Sequence, residues 1–400
     1  MISQCFILCG GYGSRLKKIT SRTPKPLLKY FGKEFLTYLI ENLSNQGVTE
    51  INLLTYFKNE IFKKYKKKIE KKFPNLKINV INEKNKSGTG GALIKSYPYQ
   101  KKLFFLINGD TYFDINLRDF EKKSKSKNIL TSIATVEVDN KKKNNSFHIK
   151  NNVLQKIYQT KKNRIKKSGG IYIVNKDIFK NYIKQKKLPQ LDFDKDIIYN
   201  QINSNKIKAF TFKANFLDIG ESLKIFETSK KKLYKILQKP CCFLDRDGVI
   251  NFDKGYTHKI KDFIFRPYVK KAIKYLNDKR YYVAIVTNQS GIARGYFDEV
   301  KLHKLHNFMS RKFYNYGAYI DKIYYSPYHK DGIINKYKKN SNLRKPNSGM
   351  LELCHRELMF KKKGSFLIGD KSTDLEAAKK FKINGYLVKK NIFKQIKKII

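Results

Sequence analysis

The chain has 400 residues, enough for two or three domains and too many for one ordinary domain. Its 86 basic and 33 acidic side chains give a formal charge of +53, and its 41% hydrophobic content excludes a disordered chain. No uninterrupted apolar run is long enough to span a bilayer. The start, MISQCFILCGGYG, lacks the basic opening and cleavage site of a signal peptide, so cytoplasmic residence and no membrane partner are expected.

The basic excess has two readings. One is a nucleic-acid surface, which would cluster its cations and use Arg freely. Here the lysines are scattered over every segment among many Asn, Ile, Tyr and Phe residues, so the excess reads as composition. It will attract anionic substrates without specifying nucleic acid. The five cysteines have no metal-ligand spacing and read as reduced core residues, with adjacent Cys241 and Cys242 on opposite faces of one strand.

In chain order, strand-like runs CFILC, INLLTY, KINVIN and LFFLING alternate with helical patterns such as EFLTYLIENLSNQG and the Lys-rich run 58–73. That alternation predicts a parallel sheet with helices on both faces. LTSIATVEV, SFHIKNNVLQKIYQ and GGIYIVN follow as strands, then a helix from about Glu221 to Gln238, stopped by Lys239-Pro240. The alternation then restarts: CCFLD, YYVAIVTN, KIYYSP and GSFLIGD as strands, with VKKAIKYLNDK, EVKLHKLHNFMSRKF, GMLELCHREL and DLEAAKKF as helices. The expected organisation is two different α/β domains, 1–238 and 239–400.

In the first domain Gly10, Gly11 and Gly13 follow the first strand directly, a turn whose backbone N–H groups can approach phosphate oxygens. Arg15 comes two residues later, and PKP places Lys25 between two stiffening prolines. The segment LCGGYGSRLKKITSRTPKPLL resembles the signature of the sugar-1-phosphate nucleotidyltransferases. GTGGAL at 88–93, NGD at 108–110, GGIYIV at 169–174 and FLDIG at 216–220 are similar to further motifs of that family, in its order. The resemblance implies a Rossmann-like nucleotidyltransferase (GT-A-like) fold and transfer of a nucleotidyl group from an NTP to a sugar 1-phosphate, with release of pyrophosphate. It also implies that Asp110 and Asp218 bind Mg²⁺, that Arg15 holds the β,γ-phosphates, and that Lys25 holds the α-phosphate. Around the nucleotide it places Gly10, Gly11, Gly13 and Gly88, with Glu83 facing the base. A carboxylate only accepts hydrogen bonds, which suits the N1–H and N2–H₂ edge of guanine, so GTP is the expected donor. Where the family has Glu-Lys before GGIY, this chain has QTKKNRIKKSGG, and Lys161 is the candidate for the sugar phosphate among several lysines.

In the second domain Asp245 and Asp247 end an apolar strand, two residues apart and ahead of Gly248. Period-two geometry puts both carboxyls on one side, an arrangement suited to a nucleophile and a general acid–base. DRDGVIN resembles the first motif of the haloacid dehalogenase (HAD) phosphatases, and TNQS at 287–290, RKP at 344–346 and GDKSTD at 369–374 resemble the others. The resemblance implies a capless HAD-like α/β domain in which Asp245 is the nucleophile and Asp247 the acid–base. It assigns Mg²⁺ to Asp245, Asp370 and the carbonyl of Asp247, with Asp374 orienting that shell. Thr287 and Lys345 would hold phosphoryl oxygens. Within the superfamily, FLDRDGVIN, VTNQSGIARGYF and LRKPNSGML are similar to the heptose bisphosphate phosphatases. That implies substrate contacts from Asp253, Lys254, Gly255, Tyr256, Thr287, Asn288, Gln289, Ser290, Arg344 and Lys371. Relatives carry zinc on a Cys-x-His and Cys-x-Cys set; Ser326, Tyr328, Ser341 and Leu343 stand here instead, so no zinc is expected.

The two resemblances fit one route: a heptose 1,7-bisphosphate loses its C7 phosphate, and the 1-phosphate left behind accepts a nucleotidyl group. Two alternatives stay open at this point. One is a hexose-1-phosphate transferase fused to a histidinol-phosphate-like phosphatase. The other is a basic nucleic-acid end-processing phosphatase, which would normally need a kinase P-loop, GxxxxGK[ST]; the chain has none.

Overall fold

A computed structural model describes residues 2–11, 20, 22–83, 85–126, 128–140, 144–185, 189–219 and 223–400, the side chains of 223–225 excepted. The chain divides into two compact units, Met1–Leu233 and Tyr234–Ile400. The division falls inside the helix Leu223–Leu237, just before Lys239-Pro240.

The first unit's main sheet has nine strands among the described residues. Four of them, Lys77–Asn82, Glu50–Thr55, Gln4–Leu8 and Leu103–Asn108, lie side by side and parallel, with helices such as Phe35–Asn45 and Asn59–Lys72 in the crossovers. The expected parallel sheet stops there. Arg164–Asn175 pairs antiparallel with both Leu103–Asn108 and Thr131–Asp139, because strands now follow one another without a helix to carry the chain back. The run SFHIKNNVLQKIYQ is two strands, Asn144–Lys150 and Val153–Thr160, folded back on each other. Asn151 and Asn152 between them both have positive φ, the conformation a two-residue hairpin turn demands. A strand absent from the sequence reading, Ile207–Thr211, runs parallel to Thr131–Asp139.

Alternate residues of these strands, among them Phe6, Phe104, Leu106, Ile133 and Tyr172, bury one face against Leu93 of the helix Gly88–Lys95 and against Phe193 and Ile197. Each such side chain contributes roughly 1.5–3 kcal/mol of burial. A two-stranded ribbon completes the unit: Phe216–Asp218 runs antiparallel to Thr111–Phe113.

The second unit is a five-stranded, wholly parallel sheet in the order Lys322–Ser326, Tyr282–Asn288, Cys241–Leu244, Phe366–Gly369, Asn384–Leu387. Both faces are covered, as parallel sheets require. Cys242, Leu244, Val283, Ile285 and Ile368 meet the helices Val269–Asp278, Glu299–Tyr316 and Ile392–Ile399. Cys241, Phe243, Ala284, Val286 and Leu367 meet Gly349–Leu358 and Ser372–Phe381 on the other face. Cys241 and Cys242 thus point to opposite faces, and all five thiols are free and buried.

Many lysines settle over ring faces: Lys362 Nζ is 3.9 Å from the Phe381 centroid, Lys270 4.4 Å from Phe265, and Lys176 4.6 Å from Tyr97. Among the described residues no helix is long and apolar enough to cross a membrane.

Candidate active sites

The first site forms where the parallel strands of the first unit end. Leu103–Asn108 delivers Asp110 through the turn at Gly109, and the ribbon brings Asp218 beside it, paired in register with Thr111. The Ile219 N–H donates to the Asp110 carbonyl at 3.1 Å, so two acids more than a hundred residues apart are tied by backbone. Lys25, at the start of a short turn of helix, donates to Asp110 Oδ2 at 2.7 Å and lies 4.0 Å from Asp218 Oδ1. Two carboxylates gathered about one cation make a donor set that a hard divalent ion would fit once phosphate oxygens draw the ammonium away.

Gly10 and Gly11 follow the strand Gln4–Leu8, and the space where a Gly11 side chain would stand is open. Gly13 and Arg15 lie outside the described residues, as does Gly220. Glu83 continues from the strand Lys77–Asn82, with its N–H on the Thr55 carbonyl at 2.9 Å, and accepts the Ser87 hydroxyl at 2.6 Å. Gly88 has φ +77°, and a Cβ there would lie 2.2 Å from the Leu191 carbonyl oxygen. Its glycine is required by the docking of the helix Gly88–Lys95 on Leu191, whose carbonyl accepts the Gly90 N–H at 2.8 Å.

Lys161 is exposed in the turn before Arg164–Asn175, at the end of that strand where Asn140 bonds the Asn163 carbonyl. Arg164 and Ser168 are four positions apart, about 13 Å of strand. Lys167 is further along, its Nζ 4.9 Å from the centroid of Phe216, two residues from Asp218. Of the several lysines in QTKKNRIKKSGG, the structure thus brings Lys167 toward the ribbon that carries Asp218.

The second site lies at the carboxyl ends of the central strands of the parallel sheet, where open α/β sheets place their ligands. Cys241–Leu244 ends in Asp245, whose N–H bonds the Ile368 carbonyl of the neighbouring strand at 3.0 Å. Lys345 is almost fully buried; it donates to Asp374 and to the Val286 carbonyl and lies 3.0 Å from Asp245 Oδ1. Burial, with Asp374 and Asp247 adding to it, pushes the Asp245 carboxyl up to about 7 against the pull of Lys345. Burial works against the Lys345 ammonium, yet Asp245 and Asp374 hold its pKa above the usual lysine value.

Oxygens of Asp245, Asp370 and Asp374 all lie within 4.8 Å of one another. Asp370 Oδ1 is buried without a hydrogen-bond partner, and burial raises its pKa. An orphaned carboxylate oxygen in a cluster of three acids fits a divalent cation. Gly248 makes room for it: with φ +83°, a Cβ there would fall 2.3 Å from Asp370 Oδ2.

Several residues expected at the substrate serve the frame. Gln289 is buried; its amide donates to Asp247 and Thr287, both at 2.9 Å, while its oxygen accepts Arg246 at 3.1 Å. Asn288 clasps the backbone of Lys345 with two bonds of 3.0 Å. At the rim, Asp253 accepts the Gly255 N–H at 2.9 Å and lies 3.6 Å from Lys371 Nζ. Lys254 and Tyr256 are exposed beside it, and Tyr256 packs edge-on against Tyr296. Ser290 is half-buried, and Arg344, also half-buried, donates to the Tyr328 carbonyl at 3.3 Å. At the positions of the relatives' zinc set, Ser326 is buried at a strand end and Leu343 packs on the core.

The nucleotidyl transferase family profile matches residues 4–235, and a HAD-hydrolase-like profile matches 342–397. A D-glycero-beta-D-manno-heptose-1,7-bisphosphate 7-phosphatase from Photorhabdus laumondii is 46% identical over 144 residues, 36% of this chain and 77% of that protein. A D-glycero-alpha-D-manno-heptose 1-phosphate guanylyltransferase from Campylobacter jejuni is 34% identical over 224 residues, 54% of this chain and 94% of that protein. A crystal structure from Bacillus anthracis, provisionally named a glucose-1-phosphate thymidylyltransferase, superposes on 57% of the chain and 94% of its own. Its TM-score is 0.50 at 19% identity, a likeness of fold alone. The chain belongs to the nucleotidyl transferase family through its first unit and to the HAD phosphatases through its second, a two-domain enzyme with a transferase and a phosphatase on one polypeptide.

Proposed function

We propose that the two sites act in series on one sugar. The second unit removes the C7 phosphate of D-glycero-D-manno-heptose 1,7-bisphosphate, and the first joins the resulting 1-phosphate to GMP from GTP, giving GDP-heptose and pyrophosphate. The observation that carries this reading is that two separate acidic clusters assemble in one chain. Asp110 and Asp218 share Lys25; Asp245 and Asp374 share Lys345, with Asp370 beside the two acids.

At the phosphatase site Asp245 attacks the C7 phosphorus while Lys345 and Thr287 hold the phosphoryl oxygens. Asp247 gives its proton to the leaving alkoxide, then takes one from the water that opens the aspartyl-phosphate. Asp253, Lys254, Gly255, Tyr256, Ser290, Arg344 and Lys371 form the rim that meets the sugar. At the transferase site the 1-phosphate attacks the α-phosphorus of GTP in line, and pyrophosphate leaves. Lys25 and Arg15 hold the triphosphate over Gly10, Gly11 and Gly13, Glu83 accepts the guanine edge, and Lys161 or Lys167 meets the sugar phosphate. Asp110 and Asp218 in one unit, and Asp245, Asp370 and the Asp247 carbonyl in the other, would hold the proposed Mg²⁺, which would offset the charge of phosphates brought against carboxylates. Such chemistry belongs in the cytoplasm, where GTP is found.

The relatives' names differ in anomer, beta for the phosphatase and alpha for the guanylyltransferase. Consecutive steps need one anomer, and C7 is remote from C1, so the transferase decides; we propose alpha. Incubating the protein with each anomer of the bisphosphate, Mg²⁺ and GTP, with mass detection of the nucleotide sugar, tests the reading. Asp245→Asn should stop the reaction from the bisphosphate yet leave preformed 1-phosphate usable. Asp110→Asn should let 1-phosphate accumulate. No phosphate release from either anomer, or faster transfer from CTP or ATP, would overturn it.

A further inference from the structure

Arg246 stands between the two acids of the phosphatase motif, just past the end of the strand Cys241–Leu244, where an arginine reads as an exposed cation. It is instead a wholly buried guanidinium. Its fork closes on Asp247: Nε donates to Oδ2 at 3.1 Å, and Nη2 to Oδ2 at 2.7 Å and Oδ1 at 3.0 Å. Nη2 also reaches the Thr257 carbonyl at 2.7 Å and Gln289 Oε1 at 3.1 Å. On the far side Nη1 lies 3.3 Å from Nε2 of His306, a buried residue of the helix Glu299–Tyr316. Burial, with the Arg246 charge adding to it, keeps that imidazole well below its usual pKa, so Nε2 is available as an acceptor. Asn251 and Gln289 add to the hold, donating to Asp247 Oδ1 and Oδ2 at 2.9 Å each.

We propose that Arg246, braced from behind by His306, is a positioning residue that fixes the Asp247 carboxyl where it can serve the leaving alkoxide and then the attacking water. The inference rests on the acid–base role given to Asp247 above. Without the fork, the Asp247 carboxyl would keep only the bonds from Asn251 and Gln289 and would be free to turn about its own side-chain torsions. A guanidinium holds both carboxylate oxygens in one plane; an ammonium cannot.

The test uses the full chain and two phosphatase substrates. Heptose bisphosphate has a poor leaving group that needs a proton, whereas p-nitrophenolate leaves as the anion and needs none. In Arg246→Met, turnover of the bisphosphate should fall about 10²-fold. With p-nitrophenyl phosphate the same variant should release about one equivalent of p-nitrophenol in a burst, because Asp245 still attacks while water activation is slow. Arg246→Lys should behave similarly. His306→Leu should show a smaller loss with the same burst, and His306→Gln, which restores an acceptor, should recover it. Wild-type turnover in Arg246→Met, or a proportional loss on both substrates without a burst, overturns the proposal. If Arg246→Met does not fold, the absence of a burst in His306→Leu does so instead. Asp247→Asn is run alongside: wild-type rates there would sink the acid–base reading itself. A burst there, with none in the Arg246 and His306 variants, would sink only this inference.

Discussion

Each unit places a lysine among carboxylates, and the two clusters differ mainly in water. Around Lys25 the side chains of Lys25, Asp110 and Asp218 are 13%, 37% and 48% exposed. Around Lys345 the figures for Lys345, Asp245 and Asp374 are 2%, 11% and 1%. The same charges are therefore screened in one place and strong in the other. The open cluster suits a site that must admit a triphosphate and a sugar phosphate together. The dry one suits a nucleophile held in advance, its carboxyl shifted by burial. The dryness follows from architecture: Lys345 is roofed by the carbonyl of Val286 and by Asn288 on the central strands, whereas Lys25 rides a short turn outside the sheet.

The contrast can be broken most directly by removing each lysine. Lys345→Met leaves two buried carboxylates without their cation and should destabilise the second unit by roughly 3–5 kcal/mol. In calorimetry that is a fall in its melting transition of roughly 10 °C. Lys25→Met should cost the first unit no more than about 1 kcal/mol, because water replaces the partner. Equal losses would show that the two clusters are alike in energy.

A second test asks whether dryness in the first unit is kept away from its acidic pair. Asp194 is half-buried there against Tyr172, whose hydroxyl donates to both oxygens at 2.9 and 3.0 Å. Burial raises its pKa to about 6. A carboxyl with a raised pKa in the folded state holds its proton longer than in the unfolded chain. Its contribution is thus full below about pH 4 and is lost as pH rises through about 6. Stability of the first unit should fall across that window by at most about 1.4 kcal/mol per pH unit, and Asp194→Asn should flatten the slope. A slope unchanged in the variant would place the titrating group elsewhere. The smallest effect concerns the open site: Glu83→Gln should weaken GTP several-fold in KM with less change for ATP, since one acceptor for guanine is lost. An equal change for both nucleotides would remove Glu83 from the base.

Much of this was legible in the sequence. Four of the second unit's five strands followed from apolar runs such as those ending at DRD, TNQ and GDK, because a doubly covered parallel strand must be apolar throughout. The short edge strand Asn384–Leu387 and the helix Ile392–Ile399 were not read, the strand being only four residues with its ends exposed. The pairing of Asp110 with Asp218, and of Asp245 with Asp370, was carried by motif resemblance. Other features were hidden for physical reasons. IKAFT is too short and too flanked by lysine to announce a strand, and Asn151-Asn152 makes a hairpin without the usual glycine. Arg246 reads as an ordinary surface cation until its neighbours are known. Gln289 and Asn288 look like substrate ligands because motif position says nothing of side-chain direction; they are turned inward to Asp247 and Lys345.

The lysines resting on ring faces have one further consequence. With 86 cations to 33 anions, ion pairing cannot neutralise this surface, and part of the surplus lies over Phe and Tyr instead. A ring face attracts a cation without cancelling its charge, so mutual repulsion between lysines persists across the surface. Added electrolyte shortens the reach of that repulsion to about 10 Å at 0.1 M. Most proteins lose surface attraction in brine; this one sheds a burden and should tolerate salt better than dilute buffer.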